Sequence, residues 1–140
     1  MATLKISDLS VGDWVEYEGL HYPITFVGYG EGDDGSLVNL IRPDLSCFTC
    51  KISDIRPIPI TAEILEKNGW SEFSDYHNSW KLDIVSDKRA WMFKNSHDWT
   101  FQVMSWGLGH NHSVAKAYIK DVHQLQHALR LAEVDKEINL

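Results

Sequence analysis

The segment from Ser113 to about Val134, SVAKAYIKDVHQLQHALRLAEV, is the longest uninterrupted periodic stretch of the chain and constrains its fold most. Val114, Tyr118, Val122, Leu125, Leu129 and Ala132 recur at steps of three and four, the spacing that puts side chains on one face of a helix. Ser113, a few residues after Gly109, stands where an N-cap belongs, with a hydroxyl able to accept a free N–H of the first turn. The spacing predicts one helix over 113–134, about 30 Å long. Its apolar stripe needs a sheet to lie on.

The residues before it supply one. Trp80-Lys-Leu-Asp-Ile84 alternates apolar and polar, Asp87-Lys-Arg-Ala90 makes a turn into Trp91-Met-Phe-Lys-Asn95, and Ser96-His-Asp98 makes another into Trp99–Trp106. Strict alternation of this kind marks strands with one buried face. Thr61 is placed to cap a short helix, Ala62–Lys67, that Asn68-Gly69 would end. Residues 61–140 are therefore expected to form an α-β-β-β-α unit. Met104 and Trp106 fall on the face opposite Trp99, Phe101 and Val103, either open to a partner or covered by the short helix.

In residues 1–60, Trp14–Glu18, Leu20–Tyr29, Leu37–Ile41 and Ser46–Cys50 read as short strands separated by Gly- and Asp-rich turns. Ile52–Ile55 reads as one helical turn, and Arg56-Pro-Ile-Pro-Ile60 as an extended edge segment, since proline cannot donate to a ladder. Five short strands with a helical turn before the last resemble a small SH3-like β-barrel covering about 11–60. The whole chain is thus expected to be α+β, a small barrel followed by the α-β-β-β-α unit, packed together as one compact chain. The resemblance implies binding through loop aromatics, with Trp14, Tyr17, Tyr22, Phe26, Tyr29 and Phe48 as candidates.

Charge narrows the partner. Thirteen Lys and Arg against twenty Asp and Glu leave a net charge of -7, which disfavours nucleic acid, whose binders neutralise phosphates with cations. The Glu31-Gly-Asp-Asp34 loop, beside the aromatics, would instead attract a basic or proline-rich peptide. A basic face built from Lys81, Lys88, Arg89 and Lys94 would nevertheless survive the acidic total, which keeps a nucleic-acid-binding barrel as a weaker alternative. The start, MATLKISDLS, has no cationic-then-apolar pattern, and no apolar run reaches the roughly 18 residues of a membrane span, so a cytoplasmic protein is expected.

Seven histidines raise metal chemistry. His110-Asn-His112 follows the last strand and His97 lies in the preceding turn. The three would hold zinc or another divalent metal if their loops met, making a metal-dependent enzyme or metal-stabilised domain the alternative function. His123 and His127 lie four apart on the helix, opposite Leu125 and Leu129, on the face assigned to solvent. Cys47 and Cys50 sit three apart in a strand, pointing to opposite faces about 10 Å apart, too far for a disulfide, so one buried and one surface thiol are expected. No phosphate loop or nucleophile elbow is present, and no cofactor is expected.

Three separated stretches, Asp8-Leu-Ser-Val-Gly-Asp-Trp-Val15, Ile58–Trp70 and Val122-His-Gln-Leu-Gln-His-Ala-Leu129, resemble small uncharacterised proteins carried by phages and mobile elements of gut Bacteroidetes. That resemblance implies a mobile-element origin and brings no catalytic residue with it. His123, Gln124 and Gln126 lie off the apolar stripe, so they are expected either to bond to neighbouring loops, such as His110 to His112, or to meet a partner. The expected function is a non-enzymatic binding or accessory protein that recognises a protein or peptide through Trp14, Tyr17, Tyr29, Phe48, Trp106 and His123.

Overall fold

Alternate residues of each strand in the first half turn inward, and the inward ones are apolar. The computed structural model describes residues 4–28, 36–73, 78–85, 87–105 and 112–140. It is α+β, with two five-stranded antiparallel sheets and few helices, and divides into the units Met1–Pro59 and Ile60–Leu140.

The first unit contains β1 (Trp14–Tyr17), β2 (Leu20–Gly28), β3 (Leu37–Ile41), β4 (Cys47–Lys51) and β5 (Ile55–Arg56), ordered β4-β3-β2-β1-β5. Val15, Ile24, Val38, Leu40 and Cys50 share the inner face and form a core with Leu9, Ile52 and Ile55. The turn into β1 is fixed by Asp13, wholly buried, whose carboxylate accepts the Ser10 N–H at 2.8 Å. Gly12, at φ 94, donates its N–H to the Ile24 carbonyl at 2.7 Å, a backbone conformation that glycine adopts without strain. A bulge between Ile24 and Phe26 turns the Phe26 ring outward, 57% exposed.

Among the described residues the hydrogen-bond ladder does not close into the expected barrel. β5 is two residues long, both pair with β1, and Pro57 follows with no N–H to donate, so β4 and β5 remain the two edges. The sheet still curls strongly. Tyr17 on β1 and Phe48 on β4 meet at 5.3 Å between ring centroids, although three strand spacings, about 14 Å if flat, separate their backbones.

In the second unit Thr61 caps α1 (Ala62–Lys67), accepting the Ile64 N–H at 3.2 Å. Gly69, at φ 90, ends it, and the Trp70 N–H returns to the Leu65 carbonyl at 3.0 Å. Then come β6 (Ser71–Glu72), β7 (Ser79–Val85), β8 (Lys88–Lys94), β9 (Trp99–Ser105) and β10 (His112–Ile119), ordered β10-β9-β8-β7-β6, and α2 (Val122–Leu131). Trp80, Ala90, Met92, Trp99, Phe101, Val103 and Ile119 are buried at inward positions, and the Trp80 and Trp99 rings meet edge-on at 5.3 Å. The Trp80 indole donates to Glu66 of α1 at 3.5 Å. Asn68, at the end of α1, holds the C-terminal stretch by two bonds to the Asn139 backbone, at 2.9 and 2.7 Å.

The expected helix over 113–134 is two elements, and the expected three strands are five. Residues 112–119 form a strand paired along β9, with Ala115, Ala117 and Ile119 facing one way and exposed Lys116 and Tyr118 the other. The helix starts at Val122, not after Ser113. Gln124 reaches back to accept the Lys120 and Asp121 N–H groups at 2.7 and 3.1 Å, as the third residue of a capping box does. It ends at Leu131, and just beyond it Glu133 takes the left-handed region at φ 58, where the Val134 N–H closes on the Leu129 carbonyl at 2.9 Å. Among the described residues no helix is long and apolar enough to cross a membrane.

The two candidate helix starts differ in a measurable way. Gln124→Ala should lower stability by about 0.5–1.5 kcal/mol in urea unfolding, whereas Ser113→Ala should stay within about 0.5 kcal/mol. A loss at Ser113 with none at Gln124 would restore the longer helix.

Candidate binding site

The Val15↔Tyr22 and Leu40↔Phe48 pairings put Tyr22 and Phe48 on the core face of the first sheet, as is Tyr17 two residues after Val15. They stand where that face opens. The rings form a closed triangle, with Tyr17–Tyr22 at 6.4 Å, Tyr17–Phe48 at 5.3 Å and Tyr22–Phe48 at 5.1 Å, all tilted or edge-on. All three are half-buried. The Arg42 guanidinium lies 4.3 Å from the Phe48 ring centre and also donates to Ser46 at 3.3 Å.

Tyr17 is also a wall of a cleft of about 530 Å³, shared with Glu16, Glu18, Ser53, Asp54 and Arg56. Three carboxylates against one guanidinium make it acidic. The β1–β2 hairpin sets this geometry. Glu18 and Gly19 both have positive φ, 49 and 79, the two-residue turn that matches strand twist. Asp54 comes from the 3-10 turn Ile52–Asp54, and Glu16 pairs with Arg56 across β1 and β5. The negative potential registers on its neighbours. The Glu18 charge, with lesser contributions from burial, Cys50 and Asp54, raises the Tyr17 phenol above its ordinary value. Burial and then Asp54 push the Cys50 thiol up to about 11, so it stays protonated and inert, while Cys47 is exposed.

Of the expected binding residues, the structure brings Tyr17 and Phe48 together. Trp14 is half-buried on the opposite face of β1. Tyr29 and Trp106 lie outside the described residues. His123 does not face solvent: it is 3% exposed, in the first turn of α2, with the His127 ring at 5.9 Å. The solvent face expected for His123 belonged to the middle of a long helix, whereas His123 is the second residue of a ten-residue one.

The described backbone keeps His97 and His112 apart. His97 is exposed in the turn before Trp99, whereas His112 pairs with Ser105 at the far end of β9. Six residues of strand, about 20 Å, separate those ends. His110 lies outside the described residues, and no three His, Cys, Asp or Glu among the described residues are grouped to hold an ion. Sequence reading did not single out Glu16, Glu18 and Asp54. The signal was the Glu18-Gly19 turn, which fixes a carboxylate at the rim.

Searches of protein-family models, of curated proteins and of solved structures find no match to this chain.

Glu18 occupies a left-handed position that asparagine fills at lower cost. Glu18→Asn should raise stability by a few tenths to about 1 kcal/mol while weakening any cation bound in the cleft. A variant that gains stability and keeps full binding would remove Glu18 from the site.

Proposed function

We propose that this chain is a non-enzymatic binding or accessory protein whose first unit takes a basic, extended segment of another protein. The observation that carries this reading is the adjacency of the Tyr17–Tyr22–Phe48 triangle to the acidic cleft, with Tyr17 common to both. Rings offer flat apolar area and favour cations, and the carboxylates supply the charge a Lys or Arg side chain requires. β1 between β2 and β5, the 3-10 turn before β5 and the strong curl of the sheet support an SH3-like reading of this unit. Recognition of proline-rich and basic peptides suits such a surface, because an extended peptide loses little entropy on binding. The likeness of three stretches to proteins of phages and mobile elements favours an accessory role in the cytoplasm of a bacterial host.

Panning a random peptide library against the whole protein tests this. Enriched peptides should be rich in Lys, Arg and Pro, and their binding should fall about tenfold or more in Tyr17→Ala and in the Glu16→Gln/Asp54→Asn double variant. Binding should also weaken as salt rises. Enrichment of acidic peptides, or binding unchanged in both variants, would refute the reading.

A further inference from the structure

The outer face of the second sheet has a different chemistry. Register places Lys81, Trp91, Gln102 and Lys116 in one row across β7, β8, β9 and β10. The flanking rows carry Phe93, Thr100 and Tyr118 on one side and Asp83, Arg89 and Met104 on the other. Each cation stands near a ring: Lys81 is 5.5 Å from Phe73, Arg89 is 5.6 Å from Trp91, and Lys116 is 5.7 Å from Tyr118. Trp91 and Phe93 stack at 5.8 Å, Phe73 meets Trp91 edge-on at 5.1 Å, and Tyr118 is 67% exposed. In those rows the one carboxylate is Asp83, paired with Arg89 at 2.6 Å.

The acidic total does not apply to this face. The first unit has four Lys and Arg against nine Asp and Glu, a balance of -5, whereas the second has nine against eleven, or -2. Most of the net negative charge is therefore in the unit that holds the acidic cleft. Of the four cations that the sequence offered for a basic face, Lys81 and Arg89 are on it, Lys88 and Lys94 have the opposite strand parity, and Lys116 joins from β10.

We infer that this outer face binds single-stranded nucleic acid, with Lys81, Arg89 and Lys116 along the phosphates and bases stacked on the Trp91, Phe93 and Tyr118 rings. Cations alternating with rings on an open antiparallel sheet match such a strand in both charge and stacking. An acidic peptide would use the cations and leave the rings unexplained. A duplex keeps its bases stacked away from such rings. Gln102 and Thr100, between the rings, offer donors and acceptors to base edges. Four strands span about 14 Å, room for about four nucleotides.

Fluorescence anisotropy of the whole protein with a labelled oligothymidylate of about 12 nucleotides, at about 50 mM salt, tests the inference. Micromolar binding is expected, with a slope of log K on log salt near about -2 for three phosphate contacts. Lys81→Gln/Lys116→Gln should weaken binding about tenfold or more and flatten the slope to about -0.7. Trp91→Leu, checked for folding by circular dichroism, should weaken binding with the slope unchanged. Absence of binding up to about 100 µM protein, or a Lys81/Lys116 variant that binds as the parent does, would overturn the inference. Polyglutamate competing as well as the oligonucleotide would overturn it too, and would assign the face to acidic protein segments.

Discussion

Register governs this protein. A strand commits successive side chains to opposite faces, so a slip of one residue in any ladder would exchange the faces and destroy both surfaces. The pairings of β1 with β2 and of β3 with β4 gather Tyr17, Tyr22 and Phe48 at the mouth of the first core. The pairings of β7 to β10 lay Lys81, Trp91, Gln102 and Lys116 in a row on the outside of the second sheet. Both surfaces are by-products of filling a core. The inward residues are held by burial, and the outward ones are left to chemistry.

Much of the framework is legible in the sequence where a local rule acts alone. The alternation through Trp80–Ile84, Trp91–Phe93 and Trp99–Val103 has only one period that fits, and those strands are present. Thr61 and Gly69 bound α1 as their chemistry requires. The stretch after Ser113 was ambiguous for a definite reason. Val114, Tyr118 and Val122 are spaced by four, and four is even, so the pattern satisfies a strand as well as a helix. Alternation of Ala115, Ala117 and Ile119 with Lys116 and Tyr118 favoured the strand, and Asp121 followed by Gln124 marked the true helix start.

Long-range features were harder to see. That Tyr17 meets Phe48 depends on the curl of a sheet whose β1 and β4 are not neighbours, and no local pattern encodes curl. Proximity along the sequence also misled: His97 and His112 are close in number and sit at opposite ends of β9, because β9 separates them. Net charge misled in the same way. A total of -7 describes neither surface, since the acidic excess is concentrated in one unit and three of the nine cations of the other share one sheet face.

The central claim is that two surfaces of opposite charge, one per unit, take two different ligands. Amide chemical-shift mapping of the isotopically labelled chain, titrated first with a Lys- and Arg-rich peptide and then with a short oligothymidylate, tests it most directly. The peptide should move the amides of Tyr17, Glu18, Gly19 and Asp54, and the oligonucleotide those of Lys81, Trp91, Gln102 and Lys116. Both ligands moving one shared set of amides, or neither moving any, would contradict the account.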